Sequence, residues 1–110
     1  PEGRPGRLLD VGCGNGAFLQ MGQAAGWSVQ GIDFDPIAVA EARRQGLAVD
    51  LGGIDQLTAQ AQTYDWITCS HVLEHEHDPQ HLFHSMHRLL RPCGTLWLQT
   101  PNIDSIGHKT

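Results

Sequence analysis

Leu8-Leu9-Asp10-Val11-Gly12-Cys13-Gly14-Asn15-Gly16-Ala17 is the stretch that decides how this chain folds. A short apolar run ends on three alternating glycines, and the residues from Ala17 to Ala25 then lack proline and β-branched side chains. A run of that length ending in glycine suits a buried strand of a parallel sheet better than a helix. Glycines placed directly after a strand let the backbone turn sharply and let a ligand approach it without Cβ atoms in the way. The stretch therefore reads as strand over 7–11, tight turn, and helix over 17–25 stopped by Gly26.

Working outward, Ser28 to Ile32 is expected as a second strand closing on Asp33. Asp35-Pro36 then opens a segment with nearly every helix signal: a capping Asp, Pro at the first position, Glu41 ahead of Arg43 and Arg44, and Gly46 after the end. Leu47 to Leu51 is expected as a third strand, Gly52-Gly53 as a loop, Ile54 to Ala61 as a shorter helix, and Trp66 to Cys69 as a fourth strand. Asp78-Pro79 starts a helix running to about Leu90, because Leu82, Phe83, Met86, Leu89 and Leu90 recur at helical spacing. Arg91-Pro92-Cys93-Gly94 ends it, Thr95 to Gln99 is a fifth strand, Pro101-Asn102 closes that strand, and the polar residues 103–110 carry no assignment. Strands alternating with helices specify an α/β fold, a Rossmann-like doubly wound and mostly parallel sheet with helices on both faces. A length of 110 residues suits one domain over 1–110.

Composition narrows the function classes. Lys and Arg total 7 against 12 Asp and Glu, and no basic cluster offers a track for a phosphate backbone, so nucleic acid is not an expected partner. No apolar run approaches the roughly 20 residues that span a bilayer, and Pro1-Glu2-Gly3-Arg4 has no apolar signal region, so no membrane partner and a cytoplasmic location are expected. The three cysteines, Cys13, Cys69 and Cys93, are too far apart for a metal knuckle and odd in number, which suggests free thiols.

A glycine turn between strand and helix suits a nucleotide-type ligand, yet Gly12-x-Gly14-x-x-Ala17 also satisfies the dinucleotide fingerprint, so a nicotinamide dinucleotide remains open. Asp33 ends the second strand about 20 residues past the glycines, where a carboxylate accepts hydrogen bonds from both hydroxyls of a ribose. It could instead cap the next helix, but Asp35 stands better placed for that.

Four ordered motifs then resemble a particular family. L-L-D-V-G-C-G-N-G with G-I-D-F-D-P, the run Tyr64-Asp65-Trp66-Ile67 leading to His71-Val72-Leu73-Glu74-His75 and Asp78-Pro79, then Leu90-Arg91-Pro92-Cys93-Gly94-Thr95-Leu96, and finally Thr100-Pro101-Asn102 look like class I S-adenosylmethionine-dependent methyltransferases. The likeness is to the small-molecule, type 11 or 23 branch related to ubiquinone biosynthesis, and it covers about Leu8 to Asn102. It implies S-adenosylmethionine as cofactor and strand order 3-2-1-4-5, with the chain ending before the last two strands. It also implies that Asp10 and the backbone of Gly12 and Gly14 hold the methionine part, Asp33 the ribose, and Phe34 the adenine. The family commonly has Asp or Thr where this chain has Gly53, leaving Ile54 and the backbone to meet the base. Cys93 likewise stands where the family usually has Gly.

Ser70 and His71 fall at the carboxyl edge of the fourth strand, where open α/β sheets bind ligands. Ser70 is thus a cofactor contact, and His71 and His75 are candidate bases for removing a proton from a hydroxyl acceptor. Loop histidines donating to carbonyls would look the same in sequence. His77, His81 and His84 would share a helical face, but H-V-L-E-H lacks the order of a zincin motif, and a solvated histidine-rich face accounts for them. The function expected is methylation of a small molecule, at oxygen rather than nitrogen. The alternatives are a module that binds the cofactor without turnover and, less favoured, a nicotinamide-dependent oxidoreductase. Strand five, lacking its usual neighbours, would expose Leu96, Trp97 and Leu98 along a bare edge, which points to a homodimer or an exchanged segment there.

Overall fold

The computed structural model of the chain describes residues 6–70, 78–100 and 103–109. Its elements are β1 (Arg7–Val11), α1 (Ala17–Ala24), β2 (Ser28–Asp33), α2 (Pro36–Arg44), β3 (Val49–Leu51), a 3-10 helix (Ile54–Gln60), β4 (Tyr64–Ser70), α3 (Pro79–Leu89), β5 (Leu90–Thr100) and β6 (Ile103–Lys109). They build one sheet in the order β3-β2-β1-β4-β5-β6. The first five strands are parallel, so the 3-2-1-4-5 order implied by the resemblance is the one observed.

β1 lies at the centre, with Leu9 opposite Gln30 on one side and Ile67 on the other. Its alternate residues serve two cores. Leu9 and Val11 join Ile32, Ile67, Leu82, Met86 and Leu96 on the α3 side, while Leu19, Val39, Ala42 and Val49 pack around Cys13 on the α1 and α2 side. Each buried Leu or Ile in these layers contributes roughly 1.5–3 kcal/mol of transfer free energy. On the α1 side Trp66 packs against Phe18 and Trp27, with ring centroids 6.0 and 5.3 Å away. Tyr64 is fully buried on the other side of β4 and its hydroxyl donates to Gln30 Oε1 at 2.5 Å.

The cap signals act as read. Asp35 accepts from the Ile37 amide at 3.0 Å with Pro36 at the first helical position, and Asp78 accepts from the His81 amide at 3.0 Å ahead of α3. The short helix expected from Ile54 is present over Ile54–Gln60, wound as a 3-10 helix. Two expectations need correction. Arg91-Pro92-Cys93-Gly94 does not separate helix from strand: β5 begins at Leu90, which pairs with Tyr64, and pairing resumes with Thr95 opposite Trp66. The four residues between bulge from the ladder, and Cys93 sits at φ 67 to make the bend. Finally, the edge expected to be bare is covered. β6 runs antiparallel along β5, with Leu96 opposite His108 and Leu98 opposite Ile106, which removes the reason for a homodimer through that edge. Among the described residues, no helix is long and apolar enough to cross a membrane.

Left-handed backbone at a non-glycine residue costs roughly 1–2 kcal/mol, and glycine loses about 0.5–1 kcal/mol more backbone entropy on folding. Replacing Cys93 by Gly should therefore raise stability by about 0.5–1 kcal/mol. Urea denaturation of the two proteins checks this, and a destabilised variant would show that the bulge is not strained.

Candidate ligand site at the carboxyl edge

The carboxyl ends of β1, β2 and β4 converge on the glycine loop. Gly12, Gly14 and Gly16 all adopt positive φ, at 78°, 58° and 89°. These angles decide where the amides point. Gly12 and Cys13 both donate to Ile32 O, at 2.8 and 3.3 Å, Gly16 donates to Cys13 O at 3.1 Å, and the Gly14 amide donates to Asp33 Oδ2 at 2.8 Å. Four donors of the turn, on Gly12, Cys13, Gly14 and Gly16, are thus spent on β2 and on the turn itself. What the loop offers outward is room: no atom lies within 4 Å of where a Cβ on Gly14 would stand.

Asp33 is half-buried and holds two loops together, since its other oxygen, Oδ1, accepts from the Asp35 amide at 2.8 Å. Each carboxylate oxygen has a second lone pair, so both can still receive a hydroxyl. Asp10 lies beneath the loop at 1% exposure, and Thr68 of β4 donates its hydroxyl to Asp10 Oδ1 at 2.8 Å. Asp10 therefore acts on anything above the loop through its charge and not by surface contact.

Cys13 reports the field between these two acids. Burial, then Asp10, then Asp33 push its thiol from the ordinary 9.0 up to about 12, against weaker help from backbone hydrogen bonds. Its sulfur also occupies the space above Gly31, where a Cβ would stand 2.6 Å from Sγ and from Leu19 Cδ1. Sequence reading missed Gly31; a glycine inside a strand beside a conformationally special turn was the available signal.

The remaining candidates separate. Phe34 is 72% exposed and its ring lies over Gly53, where a Cβ would fall 2.7 Å from Cζ. The ring therefore takes the space that a side chain at position 53 would need. Ile54 is buried in the α3-side core, so most of its surface faces protein. Ser70 ends β4 opposite Gln99. His71 and His75 lie outside the described residues. On the rim, His81 Nε2 and Asp55 Oδ1 are 2.9 Å apart, joining the first turn of α3 to the 3-10 helix.

A family model described as a methyltransferase domain matches residues 1–109. A ubiquinone biosynthesis O-methyltransferase from Salmonella paratyphi A is 33% identical over 103 residues, covering 87% of this chain and 43% of the relative. The chain thus spans less than half the length of the curated relatives it matches. Among solved structures, an S-adenosylmethionine-dependent methyltransferase from Mesorhizobium loti superposes with a TM-score of 0.79 at 29% identity, over 89% of this chain and 48% of that one. One from Archaeoglobus fulgidus gives 0.77 at 25% identity, over 91% and 46%.

Thiol reagents should modify exposed Cys93 quickly in the native protein at pH 8 and leave buried Cys13 and Cys69 intact, as mass mapping would read. Rapid labelling of Cys13 would contradict its placement. Because the folded Cys13 thiol titrates near 12 and an unfolded one near 9.0, its contribution is complete below pH 9.0 and lost as pH climbs toward 12. Burial also raises Tyr64 above 10.0, with Asp50 adding and Arg7 opposing, so both groups act in the same direction. The urea midpoint should fall across that alkaline window, and less steeply in Cys13→Ala.

Proposed function

Since the chain belongs to the methyltransferase domain family, we propose that it moves a methyl group from S-adenosylmethionine to a small molecule, with a hydroxyl as the acceptor. The observation that carries this reading is the sign of the crevice. The amides of Gly12, Cys13, Gly14 and Gly16 are engaged, an acid lies beneath the crevice and a second acid stands on its rim. Two acids so placed favour a ligand bearing a sulfonium and an ammonium over the pyrophosphate of a dinucleotide, whose charge they oppose. The open space over Gly14 fits the cofactor's methionine portion.

When bound, S-adenosylmethionine supplies an electrophilic methyl on a positively charged sulfur. The chain's part is alignment. The Gly12 and Gly14 backbone sets the floor with its carbonyls and Cα atoms, Asp10 holds negative charge under it, and Asp33 receives the ribose hydroxyls on its spare lone pairs. Phe34, already standing clear of the core, offers a ring face for adenine, with Ile54 contributing only its small exposed part. Ser70, the last residue of β4, is proposed as a further cofactor contact. His71 and His75 follow it in sequence and are the residues proposed to take the acceptor's proton. The oxygen acceptor rests on the 33% identical relative, whose name describes an O-methyltransferase. The whole of 1–110 is proposed as one cofactor-binding domain, working in the cytoplasm, where its free cysteines suit a reducing compartment.

Calorimetric titration with S-adenosylmethionine, S-adenosylhomocysteine and NAD in parallel tests the reading. The first two should bind and NAD should not. Asp33→Ala should weaken binding by roughly 10–100-fold, the worth of hydrogen bonds to a charged group. Preference for NAD, or an Asp33→Ala variant binding as tightly as the parent, would overturn the proposal.

A further inference from the structure

At the amino ends of β4 and β5, on the opposite edge of the sheet from the glycine loop, lies a second concavity of about 450 Å³. His87, Arg88 and Arg91 line it, together with Ala61, Gln62, Leu90 and Pro92. No Asp or Glu is among these residues, in a chain carrying 12 acids against 7 Lys and Arg. These basic side chains converge because α3 delivers His87 and Arg88 in its last turn and the bulge in β5 presents Arg91.

The walls are fixed. Gln62, in the left-handed region at φ 56, donates its amide to Arg88 O at 2.9 Å, and Thr63 donates to Leu89 O at 2.9 Å. These bonds satisfy two of the carbonyls that a helix leaves open at its carboxyl end, groups that would otherwise repel an anion. Arg91 is steadied by Asp65, with Nη1 3.5 Å from Oδ1, and Asp65 is itself held by the Arg7 amide at 2.8 Å. One carboxylate contact leaves donors on that guanidinium fork to spare. Arg88 is exposed and makes no ion pair among the described residues.

We propose that this cavity is a binding site for a small organic phosphate, gripped by Arg88 and Arg91 with His87 beside them, its organic part resting on Ala61, Leu90 and Pro92. Guanidinium forks match the geometry of phosphate oxygens, and a dianion suits two neighbouring cations better than a carboxylate does. The volume lies within the range of small-ligand sites. The site is separate from the methyl-transfer crevice, and the inference does not depend on that function.

The test is a titration of the chain with inorganic phosphate, phenyl phosphate and acetate at constant ionic strength, with vesicles containing phosphatidic acid as a further arm. Phenyl phosphate should bind more tightly than inorganic phosphate, and acetate more weakly than either. Arg88→Ala should weaken phenyl phosphate binding about tenfold, Arg88→Lys should keep part of it, and S-adenosylhomocysteine affinity should stay unchanged in both. Absence of phosphate binding, equal affinity for acetate, binding to vesicles alone, or an Arg88→Ala variant that binds like the parent would each overturn the proposal. The unchanged S-adenosylhomocysteine affinity keeps a failure here distinct from a failure at the crevice.

Discussion

The carboxylate of Asp33 ties the carboxyl edge of the sheet into one object. Through one oxygen it holds the Gly14 amide and through the other the Asp35 amide, so the β1 turn and the β2 turn are set relative to each other before any ligand arrives. Much else follows from that bridge. With its Gly14 donor drawn toward β2, the loop offers an anion one amide fewer, and the room over Gly14 becomes the accessible surface. The Asp35 side chain is left free to cap α2, which packs Val39 and Ala42 around Cys13 and Leu19 from the far side. Preorganisation of this kind lowers the ordering cost that a ligand would otherwise meet.

Most of the architecture was legible because its signals are local. α2 needed only Asp35, Pro36, the two arginines and Gly46 to be recognised, and the capping bond is present. The parallel strands were legible as apolar runs because both faces of the sheet are covered, one core lying on each. What could not be read depends on partners distant in the chain. Residues 103–109 have no strict alternation, and their strand exists because β5 offers a ladder to pair with. Pro92-Cys93-Gly94 looks like a stop in isolation, yet pairing of Leu90 with Tyr64 and of Thr95 with Trp66 folds it into a bulge inside β5.

The site shows the same division. The positions of Asp10, the glycines and Asp33 follow from motif spacing, but the direction of the loop amides does not, because it is set by φ values that only glycine's freedom permits. Ile54 looked available to a ligand by its place after the Gly52-Gly53 pair; instead it turns inward, as the 3-10 winding of 54–60 brings Leu57 to the same core. Gly53 gains a positive reason: it is small because Phe34 lies across it. The cationic cavity at the other edge escaped notice altogether, since Gln62 meets Arg88 and Arg91 only through tertiary packing.

The hydrogen bond from Thr68 to Asp10 spans 58 positions of sequence. A growing polypeptide that had emerged only as far as β3 would possess the glycine turn and its flanking helices, yet β1 would be open on one side and its acid without that hydroxyl. Contacts this far apart form late, after the entropy of closing a long loop has been met. The acid beneath the carboxyl edge thus acquires its hydroxyl partner only when the centre of the sheet closes.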